Sequence, residues 1–125
     1  LVIDWLRSRH VTLTPQKAVG TYNIDIAIHI PPIAVEVRYA SGPATPFPRK
    51  HATRVKYLLN CGWHVIYILI NSNHPLLETV ADYVQTMTQV FATDPPLTRQ
   101  YLVIWGNGEL SAKASRKFDD ISGKP

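Results

Sequence analysis

The chain has 125 residues, 46% of them hydrophobic, which predicts one globular domain with an apolar core rather than a disordered chain. Thirteen Lys and Arg against nine Asp and Glu give a net charge of +4, which favours a polyanionic partner. The apolar runs are much shorter than the roughly 20 residues of a membrane helix, so no membrane partner is expected. The single cysteine, Cys61, excludes an internal disulfide and fits an intracellular location.

The first third of the chain contains one helical pattern followed by extended segments. Residues 1–10 repeat apolar side chains at helical spacing, and residues 11–20 predict a short edge strand or an extended connection. Apolar and polar residues alternate over 22–30 and again over 33–38, which predicts two adjacent strands with one apolar face. Residues 41–48 hold three prolines and a glycine and are predicted to be a loop.

The rest of the chain alternates helices and strands. We predict a helix from about Arg49 to Asn60, a buried strand at 64–70, and a longer helix that begins at Pro75 and ends near Ala92. A strand over 100–105 leads through an Asn-Gly turn into a short strand at Leu110 to Lys113, and residues 114–125 are interpreted as a flexible tail. This order predicts a single α/β domain, with a mixed central sheet flanked by helices. Because the chain begins within a helical pattern and without Met, we interpret it as a piece of a longer protein.

Two acidic residues interrupt the apolar strands at residues 23–37. If Pro31 and Pro32 form the turn between the strands, the register places Asp25 opposite Arg38. Glu36 is then the diagonal neighbour of Asp25 on the same face, with Cα atoms roughly 7–8 Å apart. This spacing allows two carboxylates to converge on one cation.

The acidic pair has two interpretations that the residues alone leave open. Two carboxylates can hold Mg²⁺, which lowers the pKa of bound water for phosphodiester hydrolysis, while Arg38 neutralises developing charge. In the other interpretation, Asp25 and Arg38 form a cross-strand ion pair, and Glu36 points to solvent.

The segments YNIDIAI, IAVEV and RVKYLLNCGWHVIYI resemble the PD-(D/E)XK nuclease superfamily, in particular its Vsr-like and homing-endonuclease branch. The resemblance covers roughly residues 14–70 and implies a restriction-endonuclease-like fold. It implies that Asp25 and Glu36 hold Mg²⁺ or Mn²⁺, that Arg38 takes the position usually held by Lys, and that Gln16 is a secondary candidate near the metal. The chain departs from the pattern where it has Arg38 and Tyr39 instead of Asp-Gly, and His51 instead of an Asp.

The second half of the same match also resembles RAP domains, which share the nuclease fold and are linked to RNA binding. The segment ATRVKYLLNCGW carries this likeness. It implies a module that binds nucleic acid without cleaving it, and an organellar location.

A basic cluster opens the helix that follows the loop. Its members, Arg49, Lys50, Arg54 and Lys56 together with His51, are candidate contacts to nucleic-acid phosphates. A solvated helix face is the alternative.

Taken together, these features predict a metal-dependent DNA endonuclease domain of a homing or mobile-element type, with the nucleic-acid-binding module as the alternative. A homodimer would convert nicking into double-strand cleavage.

Overall fold

The computed structural model describes residues 1–39, 49–93, 99–111 and 116–118, with side chains over 1–39, 53–93 and 100–111. The described residues form three helices and six strands, and all of them except the last strand follow each other in the predicted order. They are α1 (Val2–Ser8), β1 (Leu13–Val19), β2 (Tyr22–Ile28), β3 (Ile33–Tyr39), α2 (Arg49–Asn60), β4 (His64–Ile70), α3 (Thr79–Thr93), β5 (Arg99–Trp105) and β6 (Arg116–Phe118).

The strands form one mixed sheet in the order β1-β2-β3-β4-β5-β6. The first three strands are an antiparallel meander, whereas β3, β4 and β5 run parallel because α2 and α3 return the chain to the same end of the sheet. The predicted α/β class and mixed sheet are therefore confirmed. No helix within the described ranges is long and apolar enough to span a bilayer.

Each face of the sheet carries its own core. One core contains residues of α1 and α3 and side chains of four strands, including Ile26 and Ile28. The other, which we call the α2 core, contains Val55, Leu58 and Leu59 of α2. Strand β4 is buried at all seven positions, as its continuous apolar run predicts for a central parallel strand.

The prediction of a single apolar face on β2 and β3 is wrong. Ile24 packs in the α2 core, whereas Ile26 and Ile28 pack in the opposite core, and Ala27 is buried as well. Ile30, which alternation assigned to the apolar face, is 91% exposed in the turn. Both faces of these strands are covered because helices lie on both sides of the sheet.

The predicted register of β2 and β3 is also wrong, by two residues. Ile28 pairs with Ile33 and Ile26 pairs with Val35, so residues 29–32 form the connection. A two-residue hairpin turn requires residues with positive φ, which the proline ring forbids, so the connection is longer than the two prolines. As a consequence, Asp25 is level with Glu36 and not with Arg38.

Helix α3 begins at Thr79, four residues after the predicted start at Pro75. The Asn71 side chain accepts hydrogen bonds from the backbone amides of Asn73 and His74, at 3.0 and 2.7 Å. The amide of Leu77 donates to the carbonyl of Gly106 at 2.9 Å. These contacts hold residues 71–77 in a non-helical conformation, and the helix begins only at Thr79.

The C-terminal segment is only partly described. Leu110 of the predicted final strand forms an isolated bridge with Ile104, while residues 112–113 lie outside the described residues. Within the predicted tail, residues 116–118 form β6 against β5, and the remainder of the tail lies outside the described residues.

Burial in the α2 core predicts that two Leu→Ala variants differ strongly in their free energy of unfolding. Leu58 is fully buried, so Leu58→Ala is expected to lower the free energy of unfolding by about 2–5 kcal/mol. Leu77 is 47% exposed and belongs to neither core, so Leu77→Ala is the matched control, with an expected change within about 0.5 kcal/mol. Urea denaturation measures both, and equal losses would contradict the packing.

Candidate functional site

The sheet is interrupted on both sides of Asp25. On one side, the bridges between β1 and β2 continue above and below the pair Gln16 and Asp25 but omit that pair. On the other side, the bridges to β3 end at Ile26 and Val35. Gln16 has a positive φ of 53°, an uncommon backbone conformation for a residue other than glycine. Asp25 therefore lies at a local break in the ladder.

Two reciprocal hydrogen bonds bridge this break between β2 and β3. The amide of Asp25 donates to Oε2 of Glu36 at 2.8 Å, and the amide of Val37 donates to Oδ2 of Asp25 at 2.9 Å. Each acidic side chain thus satisfies a backbone group on the neighbouring strand, as buried amides require. The exchange brings the two carboxylates together on the face of the sheet that α2 covers.

Each carboxylate also binds an arginine. Arg38 donates from Nη1 to Oδ2 of Asp25 at 2.7 Å, and its Nη2 lies 3.8 Å from Oε1 of Glu36. Arg54 of α2 donates to Oε1 of Glu36 from Nε at 2.7 Å and also from Nη2. Arg54 further donates to the carbonyl oxygen of Asn23. These two acids and two arginines, which we call the acid–arginine cluster, carry no net charge.

Glu36 is the deeply buried member of the cluster, with 0% of its surface exposed. Burial raises the pKa of the Glu36 carboxyl, while the Asp25 amide and the Arg54 guanidinium act in the opposite direction. Tyr67, which pairs with Glu36 across β3 and β4, is also fully buried. Burial and the nearby Glu36 carboxylate raise the pKa of Tyr67 to about 12.

The structure brings together four of the predicted site residues: Asp25, Glu36, Arg38 and Arg54. Gln16 lies level with Asp25 on β1, and Lys56 is exposed on α2. The side chains of residues 49–51, which include the predicted phosphate contacts Arg49, Lys50 and His51, lie outside the described residues.

Sequence reasoning missed two parts of the site. It assigned Arg54 to phosphate binding alone, although this residue is the partner of Glu36. It also missed Tyr67, whose ring centroid lies 5.9 Å from the Arg38 guanidinium carbon. The signal for Tyr67 was its hydroxyl between aliphatic neighbours in a buried strand.

The described residues test both statements of the ion-pair interpretation of Asp25, Arg38 and Glu36. The ion pair between Asp25 and Arg38 is present. Glu36, however, does not point to solvent, because it is sealed against Arg54.

The carboxylates do not fit a divalent cation as they are arranged. Oxygen donors are the right type for Mg²⁺, but three of the four carboxylate oxygens accept hydrogen bonds from the protein. Guanidinium groups hold the position of the cation, and Glu36 has no exposed surface. Within the described side chains, no group of three or more His, Cys, Asp or Glu is placed to hold a metal.

Removing the guanidinium from Glu36 is expected to destabilise the fold. Arg54→Ala leaves a buried carboxylate without its main cation and should lower the free energy of unfolding by about 3–5 kcal/mol. Lys56→Ala, on the exposed side of the same helix, is the control and should change it by less than about 0.5 kcal/mol. Chemical denaturation at pH 7 compares the two variants. An Arg54→Ala variant as stable as the native chain would mean that Arg54 does not stabilise the Glu36 carboxylate.

The raised pKa of Glu36 also predicts a pH dependence. Between its ordinary value of 4.5 and its raised value, the folded chain binds more protons at Glu36 than the unfolded chain does. The contribution of Glu36 to the free energy of unfolding therefore falls as the pH rises through this interval. Glu36→Gln removes that titration, so the stability of the native chain minus that of the variant should decrease with rising pH. Urea titrations from pH 4 to 7 measure this difference, and an increase would be the contrary result.

Comparison of the chain with protein-family models, with curated proteins and with solved structures finds no match. The likeness to nucleases and RAP domains therefore stays a prediction from the residues.

Proposed function

We propose that this chain is a nucleic-acid-binding domain with a restriction-endonuclease-like fold, and that it binds on the face covered by α2. The acid–arginine cluster is the observation that carries the proposal. Two carboxylates from neighbouring strands fix two guanidinium groups at one point, where a metal-dependent nuclease would require open carboxylates. In this proposal the acids hold two arginine side chains in place instead of binding a metal ion.

Arg38 has the geometry to contact a phosphate. Its side chain is 31% exposed even though it is paired with Asp25. Its hydrogen bonds to Asp25 and to the Val37 carbonyl both use Nη1. Among the described residues its Nη2 has only the longer contact of 3.8 Å to Glu36, which leaves it available to a second acceptor. A guanidinium held rigidly in this way suits the oxygen atoms of a phosphate diester.

Other cations extend the positive charge on this side of the domain. Lys17 lies opposite Ile24, whose side chain is in the α2 core, and Lys56 is exposed on α2 itself. Among the described side chains neither lysine forms an ion pair, so both add positive charge to this face. A polyanion inside the cell is the partner that this surface favours.

Arg38→Ala is expected to weaken DNA binding in a salt-dependent manner. Loss of one phosphate contact should reduce the slope of log K against log salt by about 1. Arg7→Ala is the matched control, because Arg7 is exposed on α1 across the sheet, and it should leave the slope unchanged. Fluorescence anisotropy with a labelled duplex between 50 and 200 mM salt measures the slope, and equal effects of both variants would exclude the α2 face.

Metal-dependent DNA cleavage is the second candidate function. The observation in its favour is the reciprocal pair of hydrogen bonds that brings the carboxylates of Asp25 and Glu36 together at a break in the sheet. Cleavage with Mg²⁺ or Mn²⁺ would require Arg54 to leave Glu36. A homing or mobile-element context, and a homodimer for double-strand cutting, belong to this candidate.

A plasmid assay separates the two candidates. We expect the native chain, Asp25→Asn and Glu36→Gln to bind DNA without cutting it in either Mg²⁺ or Mn²⁺. Metal-dependent cutting by the native chain that is lost in both folded variants would establish the endonuclease instead. Light scattering on the same samples reports whether the chain is a dimer.

A further inference from the structure

Two tyrosines lie beside the acid–arginine cluster and have no part in it. Tyr22 begins β2, and Tyr57 is on α2 one turn after Arg54. Their ring centroids are 5.3 Å apart, with an angle of 55° between the ring planes. Tyr57 is 38% exposed, in contrast to the fully buried Tyr67.

The tip of the Tyr57 ring rests on the turn between β1 and β2. A Cβ atom added to Gly20 would lie 2.0 Å from the Tyr57 hydroxyl oxygen and 2.7 Å from the ring carbon that carries it. Gly20 also has a φ of +61°, so a side chain at this position is disfavoured on two grounds. The turn therefore leaves space for the ring and limits its movement while part of its surface stays exposed.

Arg54 links the tyrosines to the acid–arginine cluster. Its guanidinium carbon lies 5.1 Å from the centroid of the Tyr22 ring, a cation–π distance, while the same group binds Glu36. Tyr22 thus contacts both Arg54 and Tyr57 of α2. Tyr57 is the more exposed residue of the pair.

We infer that Tyr57 is a stacking platform for an unpaired nucleobase, an inference that rests on the proposed nucleic-acid binding. Proteins that bind single strands combine cations for the backbone with exposed aromatic rings on which bases stack. Here Lys56 is the immediate neighbour of Tyr57 on α2, and Arg38 and Arg54 lie in the adjacent cluster. In a duplex the bases already stack on one another, so the ring favours an unpaired strand over a duplex.

Binding to a normal and an abasic oligonucleotide tests the inference. The abasic strand keeps every phosphate but lacks the base that would stack. The native chain is expected to bind the normal strand about 5- to 150-fold more tightly, the factor that corresponds to one stacked base. Tyr57→Leu should bind both strands equally, with the affinity that the native chain has for the abasic strand. Tyr57→Phe keeps the ring and should retain the preference.

The outcomes separate this inference from the proposed function. If the native chain binds neither oligonucleotide nor duplex, the proposed function fails and the inference fails with it. If the native chain binds DNA and Tyr57→Leu keeps the same preference for the normal strand, only the stacking platform is wrong. Tyr57→Leu must match the native circular-dichroism spectrum. If it does not fold, loss of the preference in Tyr57→Phe decides against the inference and its retention supports a role for the ring.

Discussion

The contact between the buried carboxylate of Glu36 and the guanidinium of Arg54 joins the three elements that define this site. Glu36 belongs to β3 and accepts a hydrogen bond from the backbone of β2, while Arg54 approaches from α2. A carboxylate with no exposed surface is stable only with such partners, because an isolated buried charge costs several kcal/mol. The position of α2 on the sheet is therefore tied to the charge state of one residue.

The same contact controls what the site can bind. A divalent cation and a guanidinium compete for the same carboxylate oxygens, and here the protein supplies the guanidinium from its own helix. The acids thus fix the side chains of Arg38 and Arg54 on this face of the sheet. The reciprocal hydrogen bonds between β2 and β3 place the two acids together.

Local patterns predicted most of the elements. The continuous apolar run of β4 and the amphipathic stripe of α2 reflect side-chain burial, which the sequence records directly. The register of β2 and β3 was wrong because it depended on the turn geometry at Pro31 and Pro32. The start of α3 was wrong because the contact between Leu77 and Gly106 joins residues distant in sequence.

The acidic pair was predicted from spacing, but its burial was not. Exposure of Glu36 depends on whether α2 covers β3, and alternation along the strand does not contain that information. The partnership with Arg54 joins residues 18 positions apart and follows only from the packed helix. Spacing therefore identified that the two acids meet, whereas tertiary packing determined that Glu36 is buried and that Arg54 is its partner.

A double-mutant cycle between Glu36→Gln and Arg54→Met tests most directly whether Arg54 stabilises the buried carboxylate of Glu36. Arg54→Met alone leaves a buried charge without its cation, whereas in the Glu36→Gln background no buried carboxylate charge remains at this position. The account predicts that Arg54→Met costs much less stability in that background, with a coupling free energy of about 0.5–3 kcal/mol. Equal costs in both backgrounds would contradict it, because Glu36 and Arg54 would then contribute independently to stability.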